Sequence, residues 1–586
     1  MSRADEYAFD FCCVAHFGCR SSAQQERSAC LVRFVQWFNR ERNVEECDAT
    51  MLNSSNTAGY KKMQYIIMKK YFASLLLVVV ASVQTIAQDN SIGLIKTNAG
   101  LISGTMNKDN DVHIFKGIPF AAPPVGELRW KAPQPVAAWQ DVKKCDAFSA
   151  SPVQNKPVPF MMYTPEFLIP AEPINEDCLY LNVWTAAKSS KEKRPIIVWI
   201  YGGAFVSGGS ACPIYDGENM AKKGVVFVSA NYRVGVFGFM AHPELTKESN
   251  GKASGNYAFL DQVTALQWVQ KNIAAFGGDP EQVTIAGQSA GAFSVNALVA
   301  SPLTKGLFKR AIAESGGMFN ADGRALTLSV AEQNGEKFMH AVKAASVEDM
   351  RKMSAEDLQK AAAAFSAGPV IDGYVLPDNP YNIFNASKQN DVALLTGWNG
   401  DEGFPSPDNP TPETYKANAE KQYGNLADDF LKVFPGNTAE EVKRSQMALN
   451  RDNIFAWQNY TWSKLQSAKG KNKAFLYQFN RVPPGQEKYG AFHSAEIAYA
   501  LHTLHTWNLQ WTEDDKQLSE TMSNYWVNFA KTGNPNGAGL PEWQPFDAAA
   551  SSVMILNTAQ LQMKPIAVKA EFDFLDKYQE VLRNGK

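Results

Sequence analysis

The sequence predicts an α/β fold: a mostly parallel central sheet flanked by helices, with helical insertions above it. Three observations carry that expectation. Short, continuous, β-branched apolar runs recur along the chain, each followed by turn residues and then a helical pattern, as strands buried on both faces require. A stretch near residues 320–390 breaks this rhythm with Ala-, Glu- and Lys-rich helical segments. The composition, 45% hydrophobic, 11% aromatic and 20% charged over 586 residues, is that of a globular protein.

Taken in order, Ile196–Ile200 leads into Gly202-Gly203, and Val225–Val228 leads into Asn231-Tyr232-Arg233. Val283–Ala286 leads into Gly287, after which Ala290–Ala300 reads as a buried helix. Val392–Leu395 and Ala474–Tyr477 repeat the theme. Residues 329–340, 347–353 and 355–365 read as helices. Ser346 and Ser354 stand as N-caps for the last two, each with an acidic residue three positions on. Parts of 405–470 read as further helical insertion. In such sheets functional residues gather in loops at the carboxyl ends of strands.

The first 87 residues are unlike the rest, holding five of the eight cysteines (Cys12, Cys13, Cys19, Cys30 and Cys47). Met68-Lys69-Lys70, the apolar run Tyr71–Val83 and Thr85-Ile86-Ala87 have the layout of a signal peptide over 63–87, cleaved near Ala87-Gln88. The run is short for a membrane span, so a retained anchor is the lesser alternative. Residues 1–62 show no sustained periodicity, and their cysteines lack zinc-like spacing. They are expected to lie outside the folded protein, a small extra domain being the alternative. The folded protein is then 88–586, exported to a periplasm or medium, without a stable membrane anchor and monomeric. Its net charge is −4, against −2 for the whole chain. That balance gives no electrostatic reason to expect nucleic acid or an anionic membrane as partner.

Gly287-Gln288-Ser289-Ala290-Gly291 matches G-x-S-x-G between a predicted strand and a predicted helix. This is the sharp turn that presents a nucleophilic serine. A serine hydroxyl needs a base and a stabilised oxyanion. Gly203 and Ala204, after the Ile196–Ile200 strand, can offer amide N–H groups together with Ala290 at a helix N-terminus. The order Ser, acid, His leaves His340, His493, His502 and His505 as bases. His340, His502 and His505 fall in predicted helices; His493 follows a strand, in a loop, and is the best candidate. The acid lies between Ser289 and His493, where Asp401-Glu402-Gly403 follows a strand and leaves two neighbouring carboxylates open.

Taken jointly, these residues and several further blocks resemble the type-B carboxylesterases of the α/β-hydrolase fold, the family that includes cholinesterases. The blocks are Phe115-Lys116-Gly117-Ile118-Pro119-Phe120, Asn175-Glu176-Asp177-Cys178-Leu179-Tyr180-Leu181-Asn182, Asn231-Tyr232-Arg233 and Phe276-Gly277-Gly278-Asp279-Pro280. The resemblance covers nearly all of 95–580. It implies Glu402 as the acid, the Gly203, Ala204 and Ala290 oxyanion hole, and Ser315 as a hydrogen-bonding group behind the triad. It also raises a Cys145–Cys178 bridge, which an exported protein permits, although Ser151 stands where relatives often carry the first cysteine. Cys212 is expected to be an unpaired thiol. Residues 145–177 hold no Trp, so choline esters are not the expected substrates.

The expected activity is hydrolysis of small carboxylic esters by a Ser-His-Glu triad through an acyl-enzyme, needing no metal or organic cofactor. The alternatives are a lipase, feruloyl esterase or transacylase on the same residues, and last a non-catalytic binding protein. Phe160, Tyr163, Phe167, Trp398 and Phe404 are candidates for the pocket wall, though each also suits ordinary packing.

Overall fold

Among the residues that the computed structural model describes, 92–585 except 253, 322, 406 and 407, one large sheet dominates. The leader, its cleavage point and residues 1–62 lie outside the described residues. Its eleven strands are β1 (Thr105–Met106), β2 (His113–Pro119), β3 (Tyr180–Thr185), β4 (Arg194–Ile200), β5 (Val226–Ala230) and β6 (Gly278–Gln288), followed by β7 (Arg310–Glu314), β8 (Ala393–Asn399), β9 (Ala474–Phe479), β10 (Ser552–Asn557) and β11 (Gln560–Pro565). Their spatial order is β11-β10-β9-β8-β7-β6-β4-β5-β3-β2-β1.

From β5 to β10 every neighbour is parallel. Every residue of β5 and β8 is buried, which explains the apolar runs at their starts. Both ends are antiparallel: β1–β2–β3 joined to β5 at one edge, and β10–β11 at the other. These outer pairs need no helical crossover. The exposed, alternating pattern of β11 gives little apolar signal.

Helix α1 (Tyr257–Asn272) precedes β6, and α2 (Ala290–Ala300), buried at every position, packs on β4, β6 and β7. Above the sheet, α3 (Leu328–Ala341), α4 (Val347–Lys352) and α5 (Ala355–Ala361) form the predicted insertion. Its caps are as expected: Ser346 Oγ accepts from the Asp349 N–H and Ser354 Oγ from the Asp357 N–H, each at 3.1 Å. The last helix ends earlier than expected, giving way to a 3₁₀ turn at Ala362–Ala364. Later, α6 (Trp457–Lys469) covers β8 and β9, and α7 (Glu513–Thr532) packs on β4, β6 and β10. Among the described residues no helix is long and apolar enough to cross a membrane.

The structure does not form the Cys145–Cys178 bridge; both thiols are free and buried, as is Cys212. The Cys145 carbonyl accepts from Lys116 N–H, whereas Cys178 precedes Tyr180, which lies opposite Pro119. Three residues of strand, about 10 Å, separate those two anchor points. A disulfide allows a Cα separation of only about 7 Å.

Candidate active site

Four adjoining parallel strands, β6, β7, β8 and β9, deliver their carboxyl ends to one place. Ser289 follows β6 directly, with φ 57° and ψ −125°, before α2 begins at Ala290. Such a conformation costs a non-glycine residue free energy and marks functional turns. It is held by the Ser289 N–H donating to Glu314 O at 2.9 Å. The turn is also forced from below, because a Cβ on Gly291 would lie 2.0 Å from the Ile200 carbonyl oxygen. Glycine is therefore the residue that lets α2 close on β4. Ser289 remains partly exposed, while Gln288 and Ala290 beside it are buried.

Glu402 lies in the turn after β8 and His493 in the loop after β9. His493 Nδ1 meets Glu402 Oε2 at 2.8 Å, and Glu402 Oε1 accepts from the Asn399 N–H at 3.0 Å. Of the two carboxylates the sequence left open, Asp401 points elsewhere: it is exposed and accepts from the Ala491 N–H at 2.9 Å. The His493 ring stacks on Phe455 at 4.3 Å between centroids and meets the edge of Phe404 at 5.7 Å. Its other neighbour is Gln288, whose Nε2 lies 3.3 Å from His493 Nε2. His340 sits in α3 as expected. His502 and His505, by contrast, lie in a turn and a short 3₁₀ helix rather than in α-helices.

Burial pushes the Glu402 carboxyl up, against the downward pull of the Ser315 hydroxyl and the Asn399 N–H. Burial pulls His493 down; Glu496 opposes this and Arg324 adds to it. The imidazole is accordingly neutral at neutral pH. Ser315, at the end of β7, donates its N–H to Gly397 O at 2.8 Å. Its buried hydroxyl faces Glu402 closely enough to favour the charged carboxylate, but outside strict hydrogen-bond geometry.

The loop after β4 is locked by a tyrosine pair. Tyr201 and Tyr232 stack at 4.3 Å, and each phenol donates to the other's backbone carbonyl, at 2.8 and 2.7 Å. The loop then bends through Gly203 (φ 115°) and Ala204 (φ 55°). A Cβ on Gly203 would meet Ser207 O at 2.2 Å. Both residues face the cavity that Ser289 and His493 line, and among the described residues neither amide N–H donates to a protein acceptor. Ala290 is the first residue of α2, whose N–H has no partner within the helix.

That cavity has a volume of about 880 Å³. Phe160, Tyr163, Phe167 and Phe404 line it as candidates from the sequence; Trp398 does not, being fully buried on β8 against Phe572. Four contributors went unassigned in the sequence. Gln288 is the variable position inside G-x-S-x-G. Glu496 closes the same loop as His493 and binds Asn399 Nδ2. Phe455 and Arg324 come from distant segments with no local signature.

The sequence profile of the carboxylesterase family matches residues 92–575. The chain is 35% identical to the fumonisin B1 esterase of Sphingopyxis macrogoltabida over 476 residues, 77% of this chain and 84% of that protein. It is 34% identical to the para-nitrobenzyl esterase of Bacillus subtilis (strain 168), over 79% of this chain and 95% of that one. A similarity of 33% to mouse cholinesterase covers 79% and 83% of the two chains. Among solved structures, a PNB esterase superposes with a TM-score of 0.72 at 32% identity, covering 83% of this chain and 99% of its own. With the α/β-hydrolase architecture in place, the chain belongs to the carboxylesterase family and is a carboxylic-ester hydrolase.

Proposed function

We propose that Ser289, His493 and Glu402 form a Ser-His-Glu triad that hydrolyses small esters through an acyl-enzyme. The observation that carries this reading is the His493–Glu402 contact of 2.8 Å, made beside a strained Ser289 in one shared cavity. Glu402 holds the ring with Nδ1–H toward the carboxylate, leaving Nε2 as the basic nitrogen. Nε2 takes the Ser289 proton as Oγ attacks the ester carbonyl. The Gly203, Ala204 and Ala290 amides receive the developing negative oxygen. Imidazolium then protonates the departing alcohol. Water, deprotonated by the same nitrogen, releases the acid and restores Ser289. In the resting arrangement the ring's contacts are with Glu402 and Gln288, so Gln288 yields Nε2 to Ser289 when substrate enters. Catalytic hydrogen bonds commonly tighten only in the substrate complex.

Labelling with a fluorophosphonate tests this. One equivalent is expected to bind, with the adduct on the peptide holding Ser289 and loss of hydrolysis in proportion. Labelling elsewhere, or full activity after labelling, would contradict the triad. When the full chain is produced in an exporting host, the intact mass of the labelled protein also reports whether it begins at Gln88. A product retaining Met1 would refute the export reading.

The pH profile follows from burial. The neutral imidazole is the active form, and its pKa is depressed, so kcat/KM should fall only as pH drops below the ordinary histidine range near 6.5. Gln288→Glu sets a carboxylate beside the ring and is expected to raise that midpoint by about 1–3 units. An acid limb that stays in place in the variant would remove Gln288 from the base's surroundings.

A further inference from the structure

The wall of the active-site cavity is electrostatically one-sided. It carries Arg324, Lys156 and Lys360, and among the described residues lining it there is no Asp or Glu. The two lysines are already answered by surface carboxylates, Lys156 by Glu172 at 2.9 Å and Lys360 by Glu356 at 2.7 Å. Arg324 is not. Among the described residues its guanidinium has no ion pair or side-chain hydrogen bond; it lies over the face of Phe293, 4.4 Å from the ring centroid. Solvent reaches it through the cavity, although protein surrounds it closely enough to desolvate it. An exposed guanidinium with no partner in the protein is free to pair with an anionic group that enters the cavity.

Its position relates it to the chemistry. Phe293 lies one turn along α2 from Ser289, about 6 Å of helix. Arg324 also lines a side pocket of about 330 Å³, together with Asn320, Asn453 and Gln458. Gln458 Nε2 donates to Asn320 Oδ1 at 2.6 Å and to Asn453 O at 2.9 Å, so the polar groups on this pocket's wall are pre-ordered. An acyl group attached to Ser289 Oγ stays beside α2 in both half-reactions, whereas the alcohol leaves after the first. A planar fork of N–H donors suits a carboxylate better than any neutral group.

We propose that Arg324 is a specificity-determining residue that pairs with a carboxylate at the far end of the substrate's acyl chain. The preferred substrates are then half-esters of dicarboxylic acids or longer polycarboxylic esters, and the product is a free di- or polyacid. This rests on the triad reading above and narrows it to a substrate class.

The test compares the 4-nitrophenyl half-esters of adipate and suberate with 4-nitrophenyl hexanoate and octanoate, scored as the ratio of kcat/KM within each length. For the native enzyme at least one ratio is expected to exceed one and to fall as salt is raised, since screening weakens the pair. Arg324→Gln should lower that ratio tenfold to a hundredfold, and Arg324→Lys should restore part of it. A native ratio below about 0.1 at both lengths would overturn the proposal without reference to any variant. So would a ratio that Arg324→Gln changes by less than twofold. Absence of hydrolysis of all four esters by the native enzyme would count instead against the triad reading.

Discussion

Ser289→Ala is expected to lower kcat for p-nitrophenyl acetate by roughly 10⁶-fold, the scale on which serine hydrolases depend on their nucleophile. The structure makes a bypass difficult. The residue occupies the single strained, partly exposed position between a buried strand and a wholly buried helix. Neither neighbour, Gln288 nor Ala290, can offer a hydroxyl in its place. Water remains as a nucleophile, and the Gly203, Ala204 and Ala290 amides would leave a residual rate well above that in solution. The backbone at 289 suits alanine no worse than serine, so the melting temperature should move by no more than a few degrees. Turnover at the native rate would remove Ser289 from the mechanism; a large fall in melting temperature would make the turn, rather than its hydroxyl, the cause of the loss.

The second large effect separates two neighbours. Glu402→Gln should cost about 10³–10⁴-fold in kcat, because an amide there cannot stabilise imidazolium and can turn its own N–H toward Nδ1, favouring the wrong tautomer. Asp401→Asn is expected to change kcat less than fivefold. Asp401 is exposed, and among the described residues its carboxylate accepts from the Ala491 N–H, one position before Phe492 in the loop carrying His493. Steady-state kinetics on both variants decide the matter, and equal losses would mean that the loop's placement outweighs the charge on Glu402.

Why the sequence separates these two so poorly is instructive. Side-chain direction in a turn is set by what packs beneath it, and that information sits some ninety residues away in the His493 loop. Ser289, by contrast, was legible because its strand, glycines and helix are contiguous, so the constraint of Gly291 against Ile200 is written within one short segment and one earlier strand. The central strands were legible for a similar reason: burial on both faces leaves a continuous apolar run in each. The two edge strands, β1 and β11, were not, since exposure dilutes their pattern. The free thiols of Cys145 and Cys178 depend on a distance across the sheet, which no spacing along the chain reports. Arg324 is the extreme case. An arginine in a Gly-rich loop has no mark in sequence, and its meaning comes from the cavity wall, where the described residues include no carboxylate.

The delivery of Ser289, Ser315, Glu402 and His493 from four consecutive parallel strands bears on how this enzyme fails. A site built from mobile loops can lose activity by local fraying long before the fold gives way. Here the backbone hydrogen bonds that set Ser289 and Ser315 against the neighbouring strands are those of the sheet itself, Ser289 N–H to Glu314 O and Ser315 N–H to Gly397 O. Heat can break those two bonds only by opening the middle of the sheet. The placement of Ser289 is thus lost only with the sheet, and the long loop that carries His493 beyond β9 is where activity can fail before the fold does.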